Sequence, residues 1–267
     1  MQRYRVTDGK DFTLAKWDPA DTGGFEGGKA DGRAKLAELT AHLDDLQEKF
    51  YADGRHQLLV VLQGTDTSGK GGAIRKAFEG LDPAGVQVTS FKAPTDMELA
   101  HDFLWRVHPH VPAKGQIGIF DRSHYEDVLI VRVHDLVPRA RWKARYTHIR
   151  NFEKMLADEG TTILKFFLHV SKDEQAERLR ARLDDPAKNW KFRSSDLEER
   201  EHWDEYQDAY QEMVRRTAAK HAPWIVVPAN RKWYRDLVIT HTLIDTLEGL
   251  DLRYPEPAED LSGIVIE

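Results

Sequence analysis

The chain has 267 residues, 40% hydrophobic and 31% charged, with a formal net charge of −6. That length can bury a substantial core as one large or two small domains, and the net charge argues against a general nucleic-acid coat protein. There is no cysteine, which excludes disulfides, thiolate nucleophiles and zinc–thiolate sites.

In chain order, residues 1–33 are rich in Gly and Asp with little hydrophobic period and read as an extended N-terminal arm. Their opening, MQRYRVTDGKDFTLAKWD, has no apolar stretch of signal-peptide length. No run approaches the roughly 18 apolar residues of a membrane span, so a cytoplasmic home without a membrane partner is expected. Leu36, Leu39, Leu43, Leu46 and Phe50 recur every three or four residues, the stripe of a helix over 35–51. HQLLVVLQG (56–64) is a short apolar run ending in glycine, as in a buried parallel strand. KGGAIRKAFEGL predicts a helix directly after it. Further strands are expected at 86–91, 117–120, 162–170 and 223–229, with helical patterns between them. Such alternation indicates an α/β domain with a parallel sheet covered on both faces.

Two stretches stand apart from that rhythm. VPRARWKARYTHIR (137–150) carries five Arg or Lys and no acid, a local opening for a polyanion. Residues 173–220 are charged and helical, interrupted at DDPAKNWKFRSSD (184–196). A helix, a basic loop and a helix set between two sheet strands have the layout of a lid, with a solvated hairpin as the plain alternative.

The chemistry-bearing stretch is GTDTSGK, residues 64–70, which satisfies G-x-x-x-x-G-K between a predicted strand and a predicted helix. Its glycines, Gly69 among them, let backbone N–H groups turn toward a phosphate at a helix N-terminus, and Lys70 reaches phosphoryl oxygens. Gly71 follows where P-loop enzymes usually carry a metal-binding hydroxyl. Magnesium takes one or two carboxylates with phosphates and water, so Asp66 in the loop and Asp121, closing the strand IGIF, are the expected ligands. For Asp121 a helix N-cap is the alternative. Arg122 stands next to it, in reach of a transferring phosphoryl group. Phosphoryl transfer needs positioning and charge neutralisation rather than a covalent nucleophile, and His124 is expected to pack rather than accept a phosphoryl group.

GTDTSGKGG (64–72), FKAPT (91–95), DRSHYEDV (121–128) and KNWKFRSSDLEEREHWDEYQDAY (188–210) occur in this order. Together they resemble the family 2 polyphosphate kinases over about residues 33–250. The resemblance implies a thymidylate-kinase-like P-loop fold, three layers α/β/α, in one domain over 34–267 with a helical lid. It implies phosphoryl transfer between inorganic polyphosphate and a nucleoside mono- or diphosphate. Asp66 and Asp121 then hold Mg²⁺, with Mn²⁺ as a substitute, and Lys70 and Arg122 bind phosphate. Some relatives that accept monophosphates carry Asn in place of Asp121, which leaves the acceptor range open. Gly69, Lys70, Gly71, Arg122, Arg178, Arg182, Lys191 and Arg193 are expected along the polyphosphate. Lys92, Pro94, Thr95 and Arg132 are expected at the nucleotide. A homo-oligomer, dimer or tetramer, is the expected assembly. Two alternatives remain: an ATP-dependent nucleotide kinase of the same fold, and a GTPase-like switch. The switch predicts a hydroxyl after Lys70 and an [NT]-K-x-D motif, and neither is present.

Overall fold

The computed structural model describes residues 1–266. A six-stranded sheet in the order β1-β6-β5-β2-β4-β3 forms its centre. The strands are β1 (Arg5–Val6), β2 (Gln57–Gln63), β3 (Val86–Ser90), β4 (Ile117–Asp121), β5 (Thr161–His169) and β6 (Trp224–Pro228). All pairings are parallel except β1 with β6. The helices are α1 (Lys29–Asp53), α2 (Lys70–Ala77), α3 (Asp96–Leu99), α4 (Ile130–Val133), α5 (Arg139–Asp158), α6 (Lys172–Leu183), α7 (Ser195–Glu201), α8 (Trp203–Thr217) and α9 (Lys232–Glu248). No helix among the described residues is long and apolar enough to cross a membrane.

Strand β2 shows why the sequence folds this way. Leu58, Val60 and Leu62 enter the core shared with α1, α2 and α9. The alternate residues Leu59 and Val61 enter the core shared with α5 and α8. Successive side chains point to opposite faces, so a strand covered on both sides must be apolar at every step. Its carboxyl end delivers Gly64 and the phosphate loop to the edge of the sheet.

The N-terminal segment holds more than an extended arm. Residues 5 and 6 add the antiparallel edge strand, and Tyr4, Val6, Phe12 and Leu14 are buried. Its apolar residues are too sparse to show a period, yet each finds a place against the sheet or α8. Helix α1 begins at Lys29, about two turns before its leucine stripe, because its opening residues are small or polar and show no apolar period, although Gly32 is buried against Trp233. It ends at Gly54 in the left-handed conformation (φ 64°). Residues 173–220 fold as α6, an exposed connection, α7 and α8.

His169, at the carboxyl end of β5, is buried, and its Nδ1 has no partner among the described residues. Burial lowers its pKa to about 4. The unfolded chain binds a proton near pH 6.5 that the folded chain refuses until about pH 4. The stability this contributes is therefore present above pH 6.5 and lost as pH falls through that window. Urea unfolding at pH 7.5 and 4.5 should show His169→Phe losing about 2 kcal/mol less than the parent over this drop; equal losses would contradict the assignment.

Candidate active site

The loop from Gly64 to Gly69 departs from β2 and turns into α2, whose N-terminal residue is Lys70. Gly69 stands at φ 99°, and an added Cβ would lie 2.2 Å from Arg235 Nη1. Both strain and space therefore demand glycine. Gly71 has no atom within 4 Å of an added Cβ, so the missing hydroxyl does not follow from crowding. Lys70 is buried and donates to the carbonyls of Gly64 at 2.7 Å and Thr65 at 3.3 Å. Burial, and Arg122 beside it, press its pKa down against the pull of Asp66, Asp121 and Glu126. The hydroxyls of Thr65, Thr67 and Ser68 are buried without partners among the described residues. Buried orphans of this kind mark a place where a polar guest is expected.

Two buried arginines brace this loop from outside. All five N–H donors of Arg178 are used: Nε on Glu174, Nη1 on the carbonyls of Thr67 and Ser68, and Nη2 on those of Ala229 and Asn230. Arg178 was expected along the polyphosphate, but its donors are already spent on backbone carbonyls. Its part is to hold the loop. Arg235, from α9, donates to Gly69 O at 3.1 Å and pairs with Asp236 at 2.6 Å. Only the packing of α9 brings it here. No spacing in the sequence announces it.

Asp66 and Asp121 line one cavity of about 820 Å³. Asp66 accepts from Arg122 Nη2 at 2.6 Å. Burial pushes the Asp66 carboxyl up, but Lys70 and Arg122 outweigh it and hold it below the usual range. The N-cap alternative for Asp121 falls away, because Ser123 caps the following turn by accepting from Tyr125 N. Thr67 (φ 64°) and Arg122 (φ 63°) both take left-handed backbone, which costs non-glycine residues energy and clusters at functional sites.

Ten side chains lining this cavity are basic and four acidic, in a chain of net charge −6. Gly69, Lys70, Gly71, Arg122, Arg178, Arg182 and Lys191 are all on its wall. Arg75, Lys188, Lys232 and Arg235 join them. A second cavity, of about 590 Å³, lies beside it against α7 and α8. Its wall includes Glu126, Arg193, Trp203, Tyr206 and Tyr210. The two cavities share Asp66, Lys92, Arg122, Arg182 and Lys191. Arg193 thus faces the second cavity, not the first.

Of the four residues expected at the nucleotide, Lys92 alone lines these two cavities. Thr95 caps α3 in a reciprocal box with Glu98, and exposed Pro94 precedes it. Arg132 pairs with Glu212 at 2.8 Å and lies 5.0 Å above the Trp142 ring. Glu126 lines the second cavity, where burial raises its pKa. His124 is buried against Tyr125 and Phe152. The basic stretch of 137–150 forms the start of α5, with Arg139, Arg141, Lys143 and Arg150 exposed and on neither cavity wall.

Residues 26–255 match the family described as Polyphosphate kinase 2. The chain belongs to the polyphosphate kinase 2 family. It is 57% identical to an AMP/ADP-polyphosphate phosphotransferase of Meiothermus ruber over 100% of both chains. It is 44% identical to an ADP-polyphosphate phosphotransferase of Rhodopseudomonas palustris, covering 96% of this chain and 92% of that one. Among solved structures, Polyphosphate Kinase 2 from Arthrobacter aurescens TC1 superposes with a TM-score of 0.93 at 50% identity, over 96% of this chain and 92% of that one. The parallel sheet, the P-loop and the helical covering of this family member are those the four motifs led one to expect.

Gly69→Ala should remove essentially all activity, because the new Cβ displaces Arg235 from the loop and forces a left-handed backbone on alanine. Gly71→Ala adds its methyl to open space and should fold with the parent's melting temperature. Thermal melts and phosphotransfer assays of the two variants check both statements.

Proposed function

We propose that this family member transfers a phosphoryl group between inorganic polyphosphate and a nucleoside mono- or diphosphate, forming ADP or a nucleoside triphosphate. The observation that carries this reading is the cavity against the P-loop, with ten basic residues to four acidic. One nucleotide does not call for that many cations, whereas a polyanion does. The adjoining cavity has a mixed wall with three aromatic rings, which suits a nucleotide. The five shared residues lie where donor and acceptor phosphates would meet, in line for transfer.

The donor set fits a hard cation: two carboxylates, with phosphate oxygens supplied by the substrates. Asp66 and Asp121 would hold Mg²⁺, with Mn²⁺ as a substitute. When bound, the ion supplies neutralisation of charge developing on the phosphoryl oxygens. The chain's own residues do the rest. Lys70 and the inward backbone N–H groups orient one phosphate, and Arg122 lies across the junction. Lys92, Arg182 and Lys191 clamp the flanking phosphates. Closure of the segment about 173–220 over the junction excludes water that would otherwise hydrolyse the transferring group. The chain from about residue 34 onward acts as one kinase domain in this reading. A homo-oligomer, dimer or tetramer, belongs to the same proposal, supported by the exposed edge strand β3 with Val88 and by exposed Met97, Leu99 and Trp105 nearby in sequence.

The decisive assay supplies polyphosphate and ADP or AMP, with no nucleoside triphosphate donor. Turnover supports the reading, and turnover only with added ATP replaces it with an ATP-dependent nucleotide kinase. Asp66→Asn and Asp121→Asn should each lower kcat by about a hundredfold or more at saturating Mg²⁺, with the fold intact by circular dichroism. A variant retaining parental turnover would release its aspartate from the metal.

Polyphosphate affinity should fall steeply with salt, since binding releases counterions as in a nucleic-acid groove. Lys191→Ala should reduce the slope of log Kd against log salt by about one unit. A flat salt response in the parent would contradict a long polyanion track.

A further inference from the structure

Strand β5 carries one residue that its apolar surroundings do not predict. Lys165 lies between Ile163 and Phe167 on the face turned toward α5 and α8, and it is fully buried. Its ammonium donates to Glu153 Oε2 of α5 at 2.6 Å, to the Tyr125 hydroxyl at 2.9 Å and to the Thr217 carbonyl at 2.9 Å. Its three N–H groups are thereby satisfied. The Tyr125 hydroxyl donates in turn to Glu153 Oε1 at 2.6 Å. Burial pushes Glu153 up, but Lys165 holds it ionised below the usual range.

The partners join two parts of the active site. Tyr125 sits three residues after Arg122 and one before Glu126, so its hydroxyl anchors the segment that walls the cavities on one side. Thr217 is the last residue of α8, and its carbonyl is one of those a helix end leaves without an intrahelical partner. The Trp224 indole N–H also donates to the Thr217 hydroxyl at 2.9 Å. Two and three turns earlier, the same helix presents Tyr210 and Tyr206 to the second cavity. A single buried ammonium therefore holds both opposing walls of that cavity.

We propose that Lys165, Glu153 and Tyr125 are positioning residues that set the spacing between the Arg122–Glu126 segment and α8, and so the geometry of the acceptor cavity. A buried charge is a costly way to fill a core, and apolar residues of equal volume often stabilise as well. What they do not supply is the directional bonding that fixes three backbone segments to one point. The first cavity depends less on this node, because its walls come mainly from the P-loop, α6 and α9. The proposal rests on the functional reading above only in naming the second cavity the acceptor's.

The test is the double variant Lys165→Met/Glu153→Gln, which removes both charges together and leaves no buried ion unpaired. Thermal melting, kcat, both KM values and calorimetric ADP binding are measured. Melting close to the parent is expected, with kcat lower by about ten- to a hundredfold and the nucleotide KM and ADP Kd raised by about tenfold. The polyphosphate KM should stay within about twofold. Parental kinetics in the folded double variant, or equal rises in both KM values, would overturn the proposal. Should the double variant melt well below the parent, Tyr125→Phe decides, since it deletes one hydroxyl and keeps the ion pair. A raised ADP Kd at unchanged polyphosphate KM supports the proposal, and unchanged ADP binding refutes it. The ADP titration needs no polyphosphate, so a parent inactive with polyphosphate would sink the functional reading while leaving the positioning role decided by ADP binding.

Discussion

A cavity lined by ten basic side chains has to be assembled against their mutual repulsion, and that repulsion is the constraint on this structure. Ten basic side chains around about 820 Å³ would push one another apart if each presented a free charge. Nearly every one near the phosphate loop has a local partner. Arg122 rests on Asp66, Arg178 on Glu174 and four carbonyls, Arg235 on Asp236, and Arg182 on Asp196 at 3.3 Å. Lys70 turns back on the loop's own carbonyls. The partners also sort the cations. Those whose donors are all taken up within the protein, as in Arg178 with Glu174 and four backbone carbonyls, become scaffold. Those held only by an ion pair that a phosphate can replace remain available.

Asp66 is the point where these demands meet. Its carboxylate balances Arg122 and Lys70 and is kept ionised by them, which is the state a divalent cation requires. Arg122, held in left-handed backbone, is aimed at the loop rather than along the strand that precedes it. An acid inside a phosphate cradle thus follows from the arginine opposite it and from the glycine at 71. In the proposed reading a carboxylate is the hard-oxygen donor where no hydroxyl follows Lys70, and the cradle's cations offset its repulsion of the substrate.

The second cavity depends on a different kind of support. Its aromatic wall belongs to α8, whose lower end is fixed in the core through Thr217 and whose upper turns reach over the loop. Facing it, Glu126 follows directly from the turn capped by Ser123, which Gln63 at the end of β2 also bonds at 3.1 Å. Sheet, turn and the end of α8 are tied by short polar contacts in an otherwise apolar interior.

Much of this was legible in the sequence. β2, β4 and β6 are apolar at nearly every position because both faces are covered, and the glycine spacing of residues 64–72 admits few other uses. β1 was not legible, since two residues paired to a distant strand leave no period. Lys165 was hidden inside an apolar run that already read as a strand. Nothing local to Glu126 says that it shares a cavity wall with α8.

By itself, then, the sequence determined the five parallel strands and the longer helices in their order, the phosphate loop, the two candidate metal carboxylates and the polar, charged character of residues 184–196, all properties of local spacing and residue chemistry. Only the tertiary structure decided which cations face the substrate and which brace the loop, because that depends on the acceptor atoms each guanidinium meets. It brought Arg235 to the loop from α9 and left Arg132 with Glu212. Contacts between residues 80 and 166 positions apart are set by how helices pack on the sheet, and no local pattern encodes them.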